Sequence, residues 1–119
     1  MAGFADGQGT AAMFHWPTGF VVHAVLWVIY IADRANNRIR TCTSSGNVGT
    51  LTGSSTTGNV DGSSSIATFS WPWGIVIDST SKFLYVTCFG GHTLRQVVIS
   101  TVTTTTIVGS GTFSYPRFM

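Results

Sequence analysis

The chain has 119 residues and a net charge of +2, and it is 44% apolar but only 8% charged. That length suits one domain with a modest core, and so low a charged share, against about a quarter in ordinary domains, points to a large buried or partner-facing surface. The six basic residues are scattered, which argues against a basic stripe for nucleic acid, and the four acids, all Asp, stand at 6, 33, 61 and 78 with no paired-carboxylate motif among them.

Read in chain order, Gly3 to Pro17 is a Gly-rich opening loop that carries Asp6-Gly7. Four short apolar runs follow: Gly19 to His23, Trp27 to Ala32, Arg38 to Cys42 and Val48 to Thr52, separated by turn residues at Asp33 to Asn37 and Ser44 to Asn47. A second Gly/Ser/Thr-rich loop, Gly53 to Pro72, carries Asp61-Gly62 and leads to four more runs: Gly74 to Asp78, Phe83 to Thr87, Thr93 to Val97 and Val102 to Val108. There is no Glu and a single Lys, while Val, Thr and Ser abound, so helix propensity is low and strand propensity high. Short links between successive runs predict antiparallel meanders.

The two halves repeat each other. Residues 3–42 set against 58–97 are identical at 11 of 40 positions, where composition alone would give about three. The sequence therefore predicts an all-β chain of two four-stranded antiparallel blades, a first repeat over 3–53 and a second over 58–109, each with its leading crossover loop. Phe113-Ser114-Tyr115-Pro116 echoes Phe14-His15-Trp16-Pro17, so 110–119 reads as the truncated start of a third repeat. The whole of 1–119 is then one repeat region, expected to be a piece of a longer ring.

These motifs resemble the NHL-repeat family of β-propellers. The matching stretches are Ala5-Asp6-Gly7, Ala12-x-Phe14-x-x-Pro17-x-Gly19, Tyr30-Ile31-Ala32-Asp33, Asn36-Asn37-Arg38-Ile39-Arg40 and Gly46-x-Val48-x-Thr50-Leu51-x-Gly53. The second copy keeps Asp61, Gly62, Phe69, Pro72, Gly74, Tyr85 and Arg95, but Cys88 replaces the Asp equivalent to Asp33, and Gly91-His92 replaces Asn36-Asn37. The resemblance implies a propeller blade buried on both faces and a non-enzymatic scaffold for protein–protein recognition. It leaves three alternatives: part of a propeller enzyme, a metal-assisted hydrolase or lyase whose site lies in missing blades; an RNA-binding propeller; or a self-assembling two-blade module. Closing a ring needs missing blades in the same chain or further copies of it.

The motif residues are read as structural. Asp6-Gly7 and Asp61-Gly62 are expected to form turns in which the carboxylate accepts backbone N–H groups, without calcium. Arg40 and Arg95 share one repeat position and are expected to pair with a loop Asp. Asp33, Asn36 and Asn37 close a tight turn. Trp16, Trp71 and Tyr115 each precede a proline, which predicts extended backbone and a packing role. Period-breaking residues are the candidate partner contacts: Arg34 and Arg38, where Phe89 and Thr93 stand in the second copy; Trp73, equivalent to Thr18; and His92. Arg34 and Arg38 also offer a weak phosphate-binding reading.

His15, His23 and His92 lack zinc spacing. No catalytic set and no cofactor-binding or metal site is read, and the two cysteines, Cys42 and Cys88, are expected to be free thiols. No signal-peptide pattern is visible. The apolar stretch Phe20 to Ala32, thirteen residues long, falls short of the roughly 20 needed to span a bilayer, so neither a membrane segment nor a compartment is assigned.

Overall fold

Runs of β-branched and aromatic residues, cut by Gly, Asn and Ser, dictate strands with short reversals, and strands are what form. The structure, a computed structural model, describes residues 2–109; the third-repeat residues 110–119, with Phe113, Tyr115 and Pro116, lie outside the described residues. The first sheet contains β1 (Gly7–Gln8), β2 (Pro17–Val22), β3 (Ile29–Asp33), β4 (Arg38–Cys42) and β5 (Asn47–Gly53), in the order β1-β5-β4-β3-β2. The second contains β6 (Pro72–Ile77), β7 (Phe83–Cys88), β8 (Thr93–Val98) and β9 (Thr103–Val108), in sequential order. All pairs are antiparallel, as expected of two propeller blades.

The short β1 is the one strand that the sequence does not announce. It latches the crossover loop onto the far edge of its own blade, pairing Gly7 with Val48 and Gln8 with Asn47. The second loop does the same through a single bridge, Gly62 to Thr104, with N···O distances of 3.0 and 2.8 Å in the two directions. An edge strand that would otherwise expose its backbone is thus partly covered.

The two blades share one core. Tyr30, Ala32 and Ile39 of the first pack with Phe69, Ile75, Leu84 and Val86 of the second, all of them buried. Gly19 makes the closest approach possible: a Cβ there would lie 3.2 Å from the Trp73 carbonyl oxygen and 3.5 Å from the Ile75 Cγ2. The other face of the first blade is an open apolar hollow of about 440 Å³ lined by Phe14, Pro17, Gly19, Phe20, Ile29 and Ile31, among others. Moved on by one repeat, five of these six become Phe69, Pro72, Ile75, Leu84 and Val86, every one buried in or beside the shared core. Phe20, by contrast, is 67% exposed. The hollow is therefore the same seam surface without a blade on it.

Each blade is tied to its loop by one fully buried guanidinium. Arg40 donates to the Asp33 carboxylate at 2.7 Å, to the Asp6 carboxylate at 2.9 Å and to the carbonyls of Met13 and Ala5. Arg95 repeats the pattern with Asp61 at 3.1 Å and the carbonyls of Thr68 and Val60, but Cys88 stands in place of Asp33. Phe14 and Phe69 lie against these guanidinium groups at 4.9 and 5.0 Å. The pairing with a loop Asp is thus as the sequence predicts. The role given to the Asp-Gly turns is not: Asp6 and Asp61 take up the arginines and the hydroxyls of Thr50 and Thr106 rather than capping their own turn. A charged donor outcompetes neutral backbone amides for a half-exposed carboxylate. At Asp61 burial works to raise the carboxyl pKa, yet the Thr106 and Arg95 contacts outweigh it and hold the group below its ordinary value.

Replacing Arg40 with Met strands the wholly buried Asp33 carboxylate, and replacing Arg95 with Met strands only the half-exposed Asp61. Breaking a buried pair costs about 3–5 kcal/mol, so Arg40→Met is expected to lower urea-unfolding stability by that order. Arg95→Met is expected to cost distinctly less.

At the opposite end of the blades the inner hairpins close differently. Asp78 accepts hydrogen bonds from the Thr80 hydroxyl and from the N–H groups of Phe83, Lys82 and Thr80, and these bonds hold its pKa down to about 2. In the first blade His23 takes that position, and its Nδ1 accepts from the N–H groups of Val25 and Leu26 at 3.2 and 3.1 Å. Because the folded pKa of Asp78 lies below its ordinary 3.8, its contribution to stability is present above pH 4 and is lost as pH falls from about 4 toward 2. A carboxyl-carbon NMR titration should place Asp78 well below ordinary aspartates, and Thr80→Ala should move it upward.

Candidate functional site: a tryptophan and arginine cluster on one rim

β2 and β6 begin, and β3 and β7 end, on the same rim of the two blades, because Pro17 pairs with Asp33 and Pro72 with Cys88. The segments before β2 and β6 deliver Trp16 and Trp71 to that rim. The second residue of β6 delivers Trp73, and a single 3-10 turn after β3, Arg34–Asn36, delivers Arg34. The Arg34 Cζ lies 4.8 Å from the Trp16 ring centre, 4.5 Å from Trp73 and 5.8 Å from Trp71. Phe89, which occupies the Arg34 position in the second copy, stacks against Trp73 at 4.9 Å, and His15 leans on Trp16 at 5.3 Å. The result is one cation set among three indoles, directly over the seam between blades.

Trp16 and Trp71 overturn two expectations. Their φ angles are +59° and +53°, so the backbone is not extended. A following proline disfavours the right-handed helical region for the residue before it, and both residues meet that restriction on the left-handed side instead. They are also not packed: Trp16 is 59% and Trp71 45% exposed. Positive φ is uncommon for so bulky a residue, and it persists where surrounding bonds hold it. For Trp71 the anchors are visible. Its N–H donates to the Asn37 Oδ1 at 2.9 Å, across the seam, and its carbonyl accepts from the Phe89 N–H at 2.9 Å. For Trp16 the neighbouring loop is held by the His15 N–H on the Asp33 Oδ1 and the Ala35 N–H on the His15 carbonyl. The Thr18 hydroxyl donates to the Trp73 carbonyl at 2.8 Å, which fixes the start of β6 against β2.

The predicted contact residues separate into three groups. Arg34 and Trp73 come together in the cluster. Arg38 does not join them; its guanidinium lies 3.8 Å from the Phe4 ring centre and donates to the Asn36 carbonyl. Burial and the nearby Arg40 charge lower its pKa. His92 holds the left-handed turn position, φ +54°, that Asn37 holds at +55° in the first copy. The next glycine along each blade edge confirms how tight these turns are: at Gly53 and Gly109, φ +100° and +99°, a Cβ would collide with the Asn37 and His92 carbonyls.

The expected turn around Asp33 is present, but its amides reach further than predicted. The Asn36 Nδ2 donates to Asp33 and to the Gly3 carbonyl, and Asn37 reaches Trp71. Trp16, Trp71, His15 and Phe89 are site residues that the sequence reading assigned elsewhere or passed over. The signal available was the recurrence of Trp-Pro one residue from a period-breaking position.

Chemically the cluster offers aromatic faces, a guanidinium and the His15 imidazole, which has no acid–base partner among the described residues. No group of three metal-ligating side chains converges among the described residues. Cys42 and Cys88 are both free, and burial pushes the Cys88 thiol pKa up, which keeps it protonated and unreactive. No helix is long and apolar enough to cross a membrane among the described residues.

No protein-family model matches the chain, and no curated protein matches it. Solved structures do. An auxiliary nutrient binding protein from Bacteroides thetaiotaomicron is 30% identical with a TM-score of 0.64, over 72% of this chain and 23% of that one. A second auxiliary nutrient binding protein, from Bacteroides ovatus, is 31% identical over the same shares, with a TM-score of 0.64. A Bacteroides thetaiotaomicron protein of unknown function, 23% identical, shares the fold over 84% of this chain and 28% of its own, with a TM-score of 0.71. The chain thus spans about a quarter of the length of the structures it matches.

Asn37 couples the turn that carries Arg34 to Trp71. Losing that side chain should leave the part-buried Trp71 N–H bond unmade, at a cost of about 0.5–1.5 kcal/mol. Asn37→Gly keeps the left-handed backbone accessible and isolates this bond. It is expected to lower stability and to move the tryptophan emission toward that of solvated indole, both readable in one denaturant titration.

Proposed function

We propose that this chain is part of a non-enzymatic NHL-type propeller that serves as a scaffold for protein recognition, with the tryptophan and arginine rim as its contact surface. One observation carries the reading: three partly exposed tryptophans surround one arginine at the seam between two rigid blades. Trp and Arg dominate the energetics of protein interfaces, and indoles held by β-strand starts and proline-flanked turns lose little conformational entropy on binding. Exposed large apolar groups gathered in one place mark interaction surfaces, whereas scattered ones do not. Two of the similar structures are nutrient binding proteins, which supports binding as the task of this architecture. The repeat motifs around Asp6, Phe14, Asp33 and Arg40 support the NHL assignment.

The test is selection of binders from a random dodecapeptide library displayed on phage. Peptides recovered on the native chain should lose about tenfold or more in affinity for Trp73→Ala, the scale of an interface hot spot. They should be indifferent to Val25→Ala, at the exposed turn on the far rim. Recovered peptides that ignore Trp73 would place recognition elsewhere and sink the reading.

A further inference from the structure

We infer that the rim cluster is a carboxylate receptor, and that the segment it binds presents an Asp or Glu side chain to Arg34 between the faces of Trp16 and Trp73. The inference rests on the scaffold reading above and names the chemistry of its partner.

The first observation is an inventory of charge. The chain has four acids, all Asp. Asp6 and Asp33 are engaged by Arg40, Asp61 by Arg95, and Asp78 by the Thr80 hydroxyl and the amides of its own turn. No carboxylate side chain remains for Arg34. The second is the state of the guanidinium. Its Nε is buried without a hydrogen-bond partner among the described residues, and its contacts are the three indole rings. Ring faces hold a cation by its charge and leave its in-plane N–H donors unspent.

The third observation is the comparison with Arg40 on β4, whose Nε is likewise unpartnered but whose two terminal nitrogens donate to two carboxylates and two carbonyls. Arg34 sits among three rings, and its terminal nitrogens make no hydrogen bond among the described residues. A planar fork of this kind takes a carboxylate in a bidentate pair, and apolar walls strengthen that pair by keeping water away.

The walls also bear on what surrounds the acid. Trp16, 59% exposed, and Trp73, 39% exposed, leave indole area on either side of the cation for the methylenes of the acidic residue and an apolar neighbour. An acidic peptide with an adjacent apolar residue fits both features. A single-stranded nucleic acid would also stack on indoles, but a phosphate backbone calls for several cations along a groove. Arg38, the nearest in sequence, is instead stacked on Phe4.

The peptides selected on the native chain provide the test. They should be enriched in Asp or Glu, and synthetic versions with Gln for Glu should bind about tenfold or more weakly, the loss expected of a charge-assisted pair. Arg34→Gln should weaken the acidic peptides to the same degree without further loss for the Gln versions. Arg34→Lys, which keeps the charge and loses the fork, should fall between. Circular dichroism should show both variants folded. Trp73-dependent peptides that lack acids and tolerate Arg34→Gln would overturn the carboxylate inference and leave the scaffold reading standing. Tighter binding of oligouridylate than of any peptide, lost with Arg34→Gln, would overturn it in favour of nucleic acid. Failure to recover any Trp73-dependent peptide would remove the scaffold reading, and this inference with it.

Discussion

The structure depends on a buried guanidinium in each blade. Arg40 and Arg95 are wholly shielded from solvent, and each stands on the third long strand of its blade with its donors turned to the leading crossover loop. A charge in that position is tolerable only with several acceptors around it. Two loop carbonyls and a loop aspartate provide them, so the loop has one conformation in which the charge is satisfied. The loop in turn carries Phe14 or Phe69 onto the guanidinium face and delivers a Trp-Pro step to the rim. Core, loop path and rim are consequences of one solvation problem.

The rim cluster then follows from the seam rather than from either repeat. Trp16 and Arg34 come from the first copy, Trp71 and Trp73 from the second. They meet because Gly19 lets β2 and β6 approach, and because Thr18 and Asn37 bond across the gap. A blade alone would present half of this surface. The far rim differs, since there the turns close through Asp78 and His23, meet through the Ala24 N–H on the Ser81 Oγ, and expose Val25, Leu26 and Trp27 with no arginine among them.

What could be read in advance has a physical boundary. The eight long strands were legible because turn residues punctuate β-branched runs at regular intervals, and Arg40 with Asp6 was legible because both keep the period. The short β1 was not, since Gly7-Gln8 has no strand propensity of its own and pairs only because the loop is held beside β5. The repeat is also less regular than its first three strands suggest. Thr50 and Thr106 do the same work on Asp6 and Asp61 although they are 56 residues apart, because the turn before the last strand is one residue longer in the second copy. The tryptophans were misread for a reason the backbone makes plain. A proline biases its predecessor toward extended backbone, and at Trp16 and Trp71 the bonds around the rim hold a positive φ against that local preference. Arg34 was legible as a residue free of the repeat, while two of its three indole neighbours, Trp71 and Trp73, come from the other copy and lay beyond any reading that treats one copy at a time.

The latch between each loop and the last strand of its own blade has a consequence for how such chains can grow. A segment running from just before Asp61-Gly62 to just after Val108 contains its arginine, the carbonyls and carboxylate that neutralise it, and both sides of the latch. Copying that segment in the gene inserts a unit with no orphaned charge, whereas a break between the loop and the third strand would leave a buried cation on one side and its acceptors on the other. Unequal recombination is therefore filtered by electrostatics. The boundaries that survive are those that keep loop and blade together.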